Sequence, residues 1–438
     1  MQIEEMVLVS VDDHVVEPPD MFERHVSAAY RAQAPRVVKS ARGEDLWLFE
    51  GQLRPNVGLN AVAGRPPEEY GFEPTSYDQM RRGCWDVHER VRDMNANGVL
   101  ASLCFGSFPS FCGRLWTLTK DKTLARVMLQ AYNDWHIDEW CGTHPGRFIP
   151  LAQLPLWDIE LMAEEVRRVA RKDCHAVAFL ENPTVVGLPS IHSEAWDPFW
   201  KACSDEGTVL CVHIGSAGTP PPPSPDAPVE TMMVGVPINT FHCALDYVFS
   251  PAPRKFPDLR IALSEGGIGW IPYFLDRIDA MYERHRKWTR QDFGRDRPSD
   301  VFRRHFLTCF IDDPVGVRLR DDIGVERIAW ECDYPHSDST WPRAPETLMA
   351  SFAGVADADV DQITHANALR WFRFDPFAAL GGRDQCTVGA LRAKAGDVDL
   401  SLLRGKGGKP PSPEGSHPVT AGEVMKQLAT ALDGQVTR

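Results

Sequence analysis

Asp12 and His14 stand two residues apart in Val11-Asp12-Asp13-His14-Val15-Val16-Glu17-Pro18-Pro19, directly after the apolar run Met6-Val7-Leu8-Val9. Side chains two apart on a β-strand point to the same side. A carboxylate and an imidazole therefore converge where a first strand ends, which makes a metal clamp. Asp-x-His is a common spacing by itself, and it gains weight from matching groups at later strand ends. These are Glu181 in Leu180-Glu181-Asn182-Pro183, His213 in Val212-His213-Ile214-Gly215, Glu265 in Ser264-Glu265-Gly266-Gly267, and Asp333 with His336 in Asp333-Tyr334-Pro335-His336. Each alone has a plain structural explanation. A histidine after a strand is most often hydrogen-bonded core, Glu181 before Asn-Pro can start a turn, and Asp333 can cap the segment that follows. Together, the six groups Asp12, His14, Glu181, His213, Glu265 and Asp333 would be costly to bury without a compensating cation. Nitrogen and oxygen donors without thiolate suit zinc, iron, manganese or cobalt.

The elements that must position these groups alternate short apolar runs with amphipathic stretches, the pattern of an α/β fold with a parallel sheet. Eight strands are expected, at 6–10, 99–105, 148–154, 176–180, 209–213, 260–264, 306–310 and 327–330, with helices at 158–171, 196–206 and 272–288. Eight strand–helix repeats predict a (β/α)8 TIM barrel, whose active site lies at the C-terminal ends of its strands. Residues 30–85, rich in Pro, Gly and Arg, read as an insertion after strand one, folded over the barrel mouth. The Pro-rich stretch 215–228 reads as a stiff loop. The barrel pattern ends near 375, so the expected organisation is a catalytic barrel at 1–375 and a C-terminal extension at 376–438. Within that extension 405–415 reads as mobile and 419–432 as a terminal helix.

Composition narrows the function classes. The chain has 438 residues, 43% of them hydrophobic and 25% charged, as in ordinary globular proteins. Its net charge of −14 argues against a nucleic-acid surface. The eleven Cys are scattered without a CxxC pair, which reads as reduced thiols. The N-terminus lacks a secretory pattern, and no uncharged apolar run approaches the roughly 20 residues that span a bilayer. The expectation is a cytoplasmic enzyme with no membrane partner. Other tempting residues carry less: His175 precedes its strand, His242 and Asp246 fall on a helical stretch, and His88, His136 and His305 have no motif around them. Cys211 and Cys332 read as core, and Arg284-His285-Arg286-Lys287 as a solvated helix face.

The segments Val11 to Pro18, Cys211 to Gly215, Ser264 to Tyr273 and Glu331 to His336 together resemble the amidohydrolase superfamily. They resemble in particular its amidohydrolase-2 branch, which includes aminocarboxymuconate semialdehyde decarboxylase, aromatic acid decarboxylases and many bacterial hydrolases. The resemblance spans roughly 6 to 375. It implies that Asp12 and His14 are the first-strand metal pair, that His213 is the fifth-strand ligand, and that Asp333 binds metal and handles the proton of an attacking water. The decarboxylases of the branch carry His where this chain has Glu265, and dinuclear members of the superfamily place a bridging carboxylate on strand four, where Glu181 stands.

The first expectation is therefore a hydrolase with two divalent ions per chain (iron or zinc, with manganese also suitable) about 3.5–4 Å apart. It would cleave an ester, thioester or amide. Asp333 would move the proton, and His336 would either bond the oxyanion or leaving group or brace the Pro335 turn. Resemblance to dinuclear iron thioesterases implies an acyl-CoA substrate, and the 13 Trp offer apolar lining for one. The alternative is a mononuclear, non-oxidative decarboxylase of an aromatic or enoic acid that keeps Asp12, His14, His213 and Asp333 as ligands. A barrel that only binds is the third reading. Members of the branch imply a homodimer.

Overall fold

The computed structural model describes residues 1–405 and 418–432, apart from positions 42, 56, 59, 71–73 and 219. Its strands are β1 (Leu8–Val15), β2 (Arg36–Lys39), β3 (Asp45–Phe49), β4 (Gln52–Arg54), β5 (Val99–Gly106), β6 (Phe148–Ile149), β7 (Ala176–Phe179), β8 (Val209–His213), β9 (Arg260–Ser264), β10 (Phe306–Phe310) and β11 (Ile328–Trp330). All eight expected barrel strands are present. They pair in parallel in two sheets, β1-β5-β6 and β11-β10-β9-β8-β7. Nearly every residue in them is buried, because a parallel sheet covered by helices hides both faces.

The two sheets meet at two seams. At one, Ala152 accepts from Ala178 at 2.9 Å and donates to Ala176 O at 3.0 Å. At the other, Asp333 N–H donates to Asp12 O at 2.9 Å and His14 N–H to Tyr334 O at 2.7 Å. The fold is a TIM barrel, and the second seam joins its first strand to the chain leaving its last.

Two expected strand bounds shift. β1 runs on to Val15 rather than ending at 10, because pairing with β5 continues past a register shift between Ser10 and Asp13. Asp12 and His14 thus lie on the strand itself. β6 shrinks to two residues, and the rest of 148–154 keeps only the bridge at Ala152. The helices fall close to their expected places: Ile159–Ala170 is capped by the Asp158 carboxylate, and Asp197–Glu206 ends at left-handed Gly207. Ile271–Thr289 presents 284–287 as a mostly exposed run.

The 30–85 segment contains an antiparallel sheet, β2-β3-β4, which its loop-like composition does not announce. Its inner residue Trp47 stacks on Phe108 at 4.4 Å. Further along, Ala63 N–H donates to Pro335 O at 2.9 Å and Asn60 Nδ2 to Ser337 Oγ at 3.1 Å, so the segment contacts the chain just after Asp333.

Beyond 375 the chain first runs beneath the barrel, where Val388 N–H donates to Met6 O at 2.8 Å. It then rises to the insertion, where Leu403 N–H donates to Gly64 O at 2.8 Å. Beyond Gly405 the stretch expected at 405–415 lies outside the described residues. The helix expected at 419–432 is found as Ala421–Leu432, and its entry pairs with the loop after β8: Val229 N–H donates to Val419 O and Ala421 N–H to Ala227 O. All eleven Cys are buried and free. No described helix is long and apolar enough to cross a membrane.

Candidate metal centre

Five of the six expected ligands converge, and His336 joins them. Two overlapping groups of potential ligand atoms form, Asp12-His14-His213 and His14-Glu265-Asp333-His336, each with all its atoms within 4.8 Å of one another. β1 supplies Asp12 and His14 from one face. His213 is the last residue of β8, Glu265 the first after β9, and Asp333 lies three beyond the end of β11. His14 Nε2 is central: it lies 3.6 Å from Asp12 Oδ1, 3.2 Å from Asp333 Oδ1 and 3.2 Å from His213 Nε2. His213 Nε2 lies 3.0 Å from Glu265 Oε2 and 3.7 Å from Asp12 Oδ2. His336 Nδ1 lies 2.9 Å from Asp333 Oδ1, and its ring stacks on His14 at 3.8 Å.

The groups are buried yet short of partners. Asp12, His14 and His213 have no exposed surface and Asp333 has 1%. Both oxygens of Asp12, Asp333 Oδ1 and His336 Nε2 are buried without a hydrogen bond. Burial raises the carboxyl groups of Asp12, Glu265 and Asp333 well above their ordinary range, and their mutual repulsion adds to the shift in Asp12 and Glu265. Burial also lowers the imidazoles, His213 to about 3, so each is neutral and keeps a lone pair for a cation. Donors about 2.0–2.2 Å from one ion sit roughly 3–3.5 Å from each other, close to the separations found here. The donor set fits a divalent metal.

The backbone at the site is strained in two places. Glu265 (φ 58°) and Asp333 (φ 55°) adopt the left-handed conformation, which costs a non-glycine residue on the order of 1–3 kcal/mol. Each is held by its own amide: Glu265 N–H donates to Glu331 Oε2 at 3.1 Å, and Asp333 N–H to Asp12 O. Gly266 is required next, since a Cβ there would lie 2.6 Å from Thr240 Cγ2. Asp313 Oδ2 then fixes the turn by accepting from Ile268 and Gly269 N–H.

Sequence reasoning passed over Glu331, which is fully buried between Trp330 and Cys332. Its Oε2 also accepts from Cys309 Sγ, its Oε1 has no partner, and burial lifts its carboxyl to about 7. Glu17 fixes the loop after β5 by accepting from Ser107 and Phe108 N–H at 3.0 and 2.8 Å. That loop brings Phe111 over the site, 4.7 Å from the His14 ring and 4.2 Å from that of His213.

The structure does not bring Glu181 into the cluster. The chain turns at Asn182-Pro183, and Glu181 Oε2 accepts from Ala217 N–H at 3.2 Å, facing the loop after β8. A bridging carboxylate from strand four is therefore missing. The bystander histidines stay apart: His88 meets His144 at 3.0 Å, His136 and His305 bond backbone carbonyls in the core, and His175 lies before β7. Asp246 pairs with His192 at 2.7 Å, and Cys211 and Cys332 are core as expected.

A family model described as amidohydrolase matches residues 21–374. A 2-amino-3-carboxymuconate-6-semialdehyde decarboxylase from Dictyostelium discoideum is 21% identical over 309 residues, which cover 68% of this chain and 80% of that protein. A gamma-resorcylate decarboxylase from Rhizobium sp. (strain MTP-10005) is 24% identical over 340 residues, covering 70% of this chain and 93% of the relative. Among solved structures, a 5-carboxyvanillate decarboxylase from Novosphingobium aromaticivorans with bound manganese superposes with a TM-score of 0.59 at 17% identity. The match covers 85% of this chain and 99% of that one.

Proposed function

This chain belongs to the amidohydrolase family, and from that premise we propose that it is a non-oxidative decarboxylase of a small aromatic or enoic acid, working with one divalent metal ion. The observation that carries the one-ion reading is His14 Nε2. The same atom stands among Asp12, His213 and Asp333, so the two overlapping ligand groups share it and it can serve only one ion. With Glu181 turned away, the bridging carboxylate expected from strand four is missing. Asp12, His14, His213 and Asp333 would hold the metal, and manganese, zinc and iron all suit these donors. When bound, the metal supplies positive charge that orients a substrate carboxylate and draws electron density from it. Residues 1–375 would form the catalytic unit, covered at its mouth by 30–85.

The chain's own groups have separable tasks. Phe111, tilted over the two imidazoles, walls one side of the site and keeps water from it. His336 Nδ1 lies 2.9 Å from Asp333 Oδ1 and its ring stacks on His14, which fixes the ring and leaves Nε2 as an acceptor for a substrate hydroxyl. Glu265 is the most open carboxyl of the cluster, its side chain 12% exposed, and burial beside Asp333 favours its protonated form. It hands a proton to the carbon that loses carbon dioxide and regains one from solvent. The relatives, all decarboxylases, support the same chemistry.

Glu265 also favours a second reading. A carboxylate where the decarboxylases of the branch carry His is a competent base for hydrolysing an ester, amide or acyl-CoA thioester. Elemental analysis of protein purified without added metal, followed by assay of hydroxybenzoic and enoic acids beside model esters and thioesters, decides between the two. We expect about one divalent ion per chain and release of carbon dioxide. Two ions with hydrolysis and no carbon dioxide would overturn the proposal.

A further inference from the structure

The family match ends at residue 374, yet the chain beyond it is tied back toward the metal centre. Two separate routes lead from residues 397–405 to the segment Asp333-Tyr334-Pro335-His336. On the first, Leu403 N–H donates to Gly64 O at 2.8 Å, and the neighbouring Ala63 N–H donates to Pro335 O at 2.9 Å. On the second, Arg81 Nη1 donates to Asp399 O at 3.1 Å. The same guanidinium forks onto Asp93 of helix Val87–Asn97, with Nε 3.0 Å from Oδ2 and Nη2 2.6 Å from Oδ1. Tyr334 O–H then donates to Asp93 Oδ2 at 2.6 Å. We propose that residues 397–405 brace the metal centre from outside the barrel, with Arg81 as the positioning residue that passes the hold to Tyr334 and so to Asp333.

Asp333 needs a brace. Its left-handed backbone (φ 55°) persists in a non-glycine residue only where the surroundings fix it. The first strand holds the segment from within: Asp333 N–H donates to Asp12 O, His14 N–H to Tyr334 O, and Tyr334 N–H to Asp13 Oδ1. The tyrosine hydroxyl and Pro335 O are the outward handles, and the two routes engage one each. The Arg81 route is mostly buried, with Asp93 4% exposed and the Arg81 side chain lying 4.3 Å over the Trp341 ring. Gly83 is required beside it, since a Cβ there would run into Asp93 Oδ2 and Tyr334 Oη. The other ties of the same stretch, Arg92 to Asp397 and Arg404 to Glu68, are exposed ion pairs of small worth. An extension that only added stability could dock anywhere, whereas both of these routes end within four residues that carry Asp333 and His336. The inference rests on the reading of Asp333 as a metal ligand and not on the reaction.

Titration of the metal-free full chain with Co²⁺, followed by its visible absorption, tests it. Arg81→Met keeps the packing on Trp341 and loses the bonds to Asp93 and Asp399. It should weaken Co²⁺ binding about tenfold, as for groups that orient a ligand, and shift the absorption band that reports ligand geometry. Leu403→Pro, at a half-exposed position, removes one neutral hydrogen bond. It should weaken Co²⁺ binding about threefold while the urea midpoint stays at the wild-type value. Because it leaves the Arg81–Asp93 pair intact, it decides the matter even if Arg81→Met folds poorly. Arg92→Ala, which cuts only an exposed tie, should bind Co²⁺ like wild type. The proposal is overturned if Arg81→Met or Leu403→Pro binds Co²⁺ with the wild-type affinity and spectrum, or if Arg92→Ala weakens binding as much as Arg81→Met. A wild-type chain that takes up no Co²⁺ would instead remove the metal centre, and the brace with it.

Discussion

The two faces of β1 carry opposite kinds of buried polar group. On one, Asp12 and His14 point to the barrel axis with both Asp12 oxygens unpartnered. On the other, Asp13 is fully engaged. Its Oδ1 accepts from Ser10 Oγ at 3.1 Å and Tyr334 N–H at 2.9 Å, its Oδ2 accepts from Ser102, and the Arg90 charge stands nearby. Arg90 in turn donates to Gly83 O and His14 O and lies 4.4 Å over the Tyr334 ring. Both faces are equally buried, so burial does not separate them. Satisfaction does: a saturated network holds the strand in place, while an unsaturated one beside it is reserved for something the chain does not supply.

That contrast can be broken by substitution. Asp12→Asn should empty the metal site and lower activity more than the roughly 10–100-fold typical of groups that only brace a ligand. It should leave the stability of metal-free protein unchanged or slightly raised, since it removes a buried carboxyl group that has no partner. A large loss of metal-free stability would erase the distinction between the faces. Arg90→Leu should act the other way and cost about 3–5 kcal/mol in urea denaturation of metal-free protein, because it strips the donors from the buried Gly83 O and His14 O and removes the charge that offsets Asp13. A loss below about 1 kcal/mol would show that the network is not structural. Glu331 is the intermediate case, with one oxygen engaged and one not. Glu331→Leu should release the Glu265 amide and weaken metal affinity about tenfold, with Glu331→Gln restoring most of it through its remaining acceptor oxygen. Equal affinities in both variants would mean that Glu265 keeps its conformation unaided.

The sequence made the barrel legible because each strand is a short apolar run with a polar residue at its end, and those ends are where ligands stand. Height along the barrel was therefore readable for Asp12, His14, His213, Glu265 and Asp333. Direction was not. Glu181 has the right height, but two residues beyond β7 the strand alternation no longer governs, and the Asn182-Pro183 turn aims it outward. Glu331 failed for the converse reason: it sits one residue beyond β11 in an apolar context, and only the left-handed Glu265 amide reveals what it holds. His336 was placed near the chemistry without a settled role, because the spacing to Asp333 does not say that its ring stacks on His14. The β2-β3-β4 sheet hid in Pro- and Gly-rich composition, where pairing depends on partners rather than on apolar runs.

The seam between β1 and the chain after β11 has a consequence for how the molecule comes into being. Tyr334 reaches Asp13 across 321 residues of sequence, and the Asp12–Asp333 backbone bond spans the same distance. Contacts this remote form late, since the entropy of closing so long a loop must be met before they stabilise anything. A nascent chain emerging from the ribosome holds Asp12 and His14 almost from the start, but it has no centre to offer until its eighth strand arrives. Loading with metal is thereby timed to the completion of the ring, and an ion that binds there also locks the ring shut.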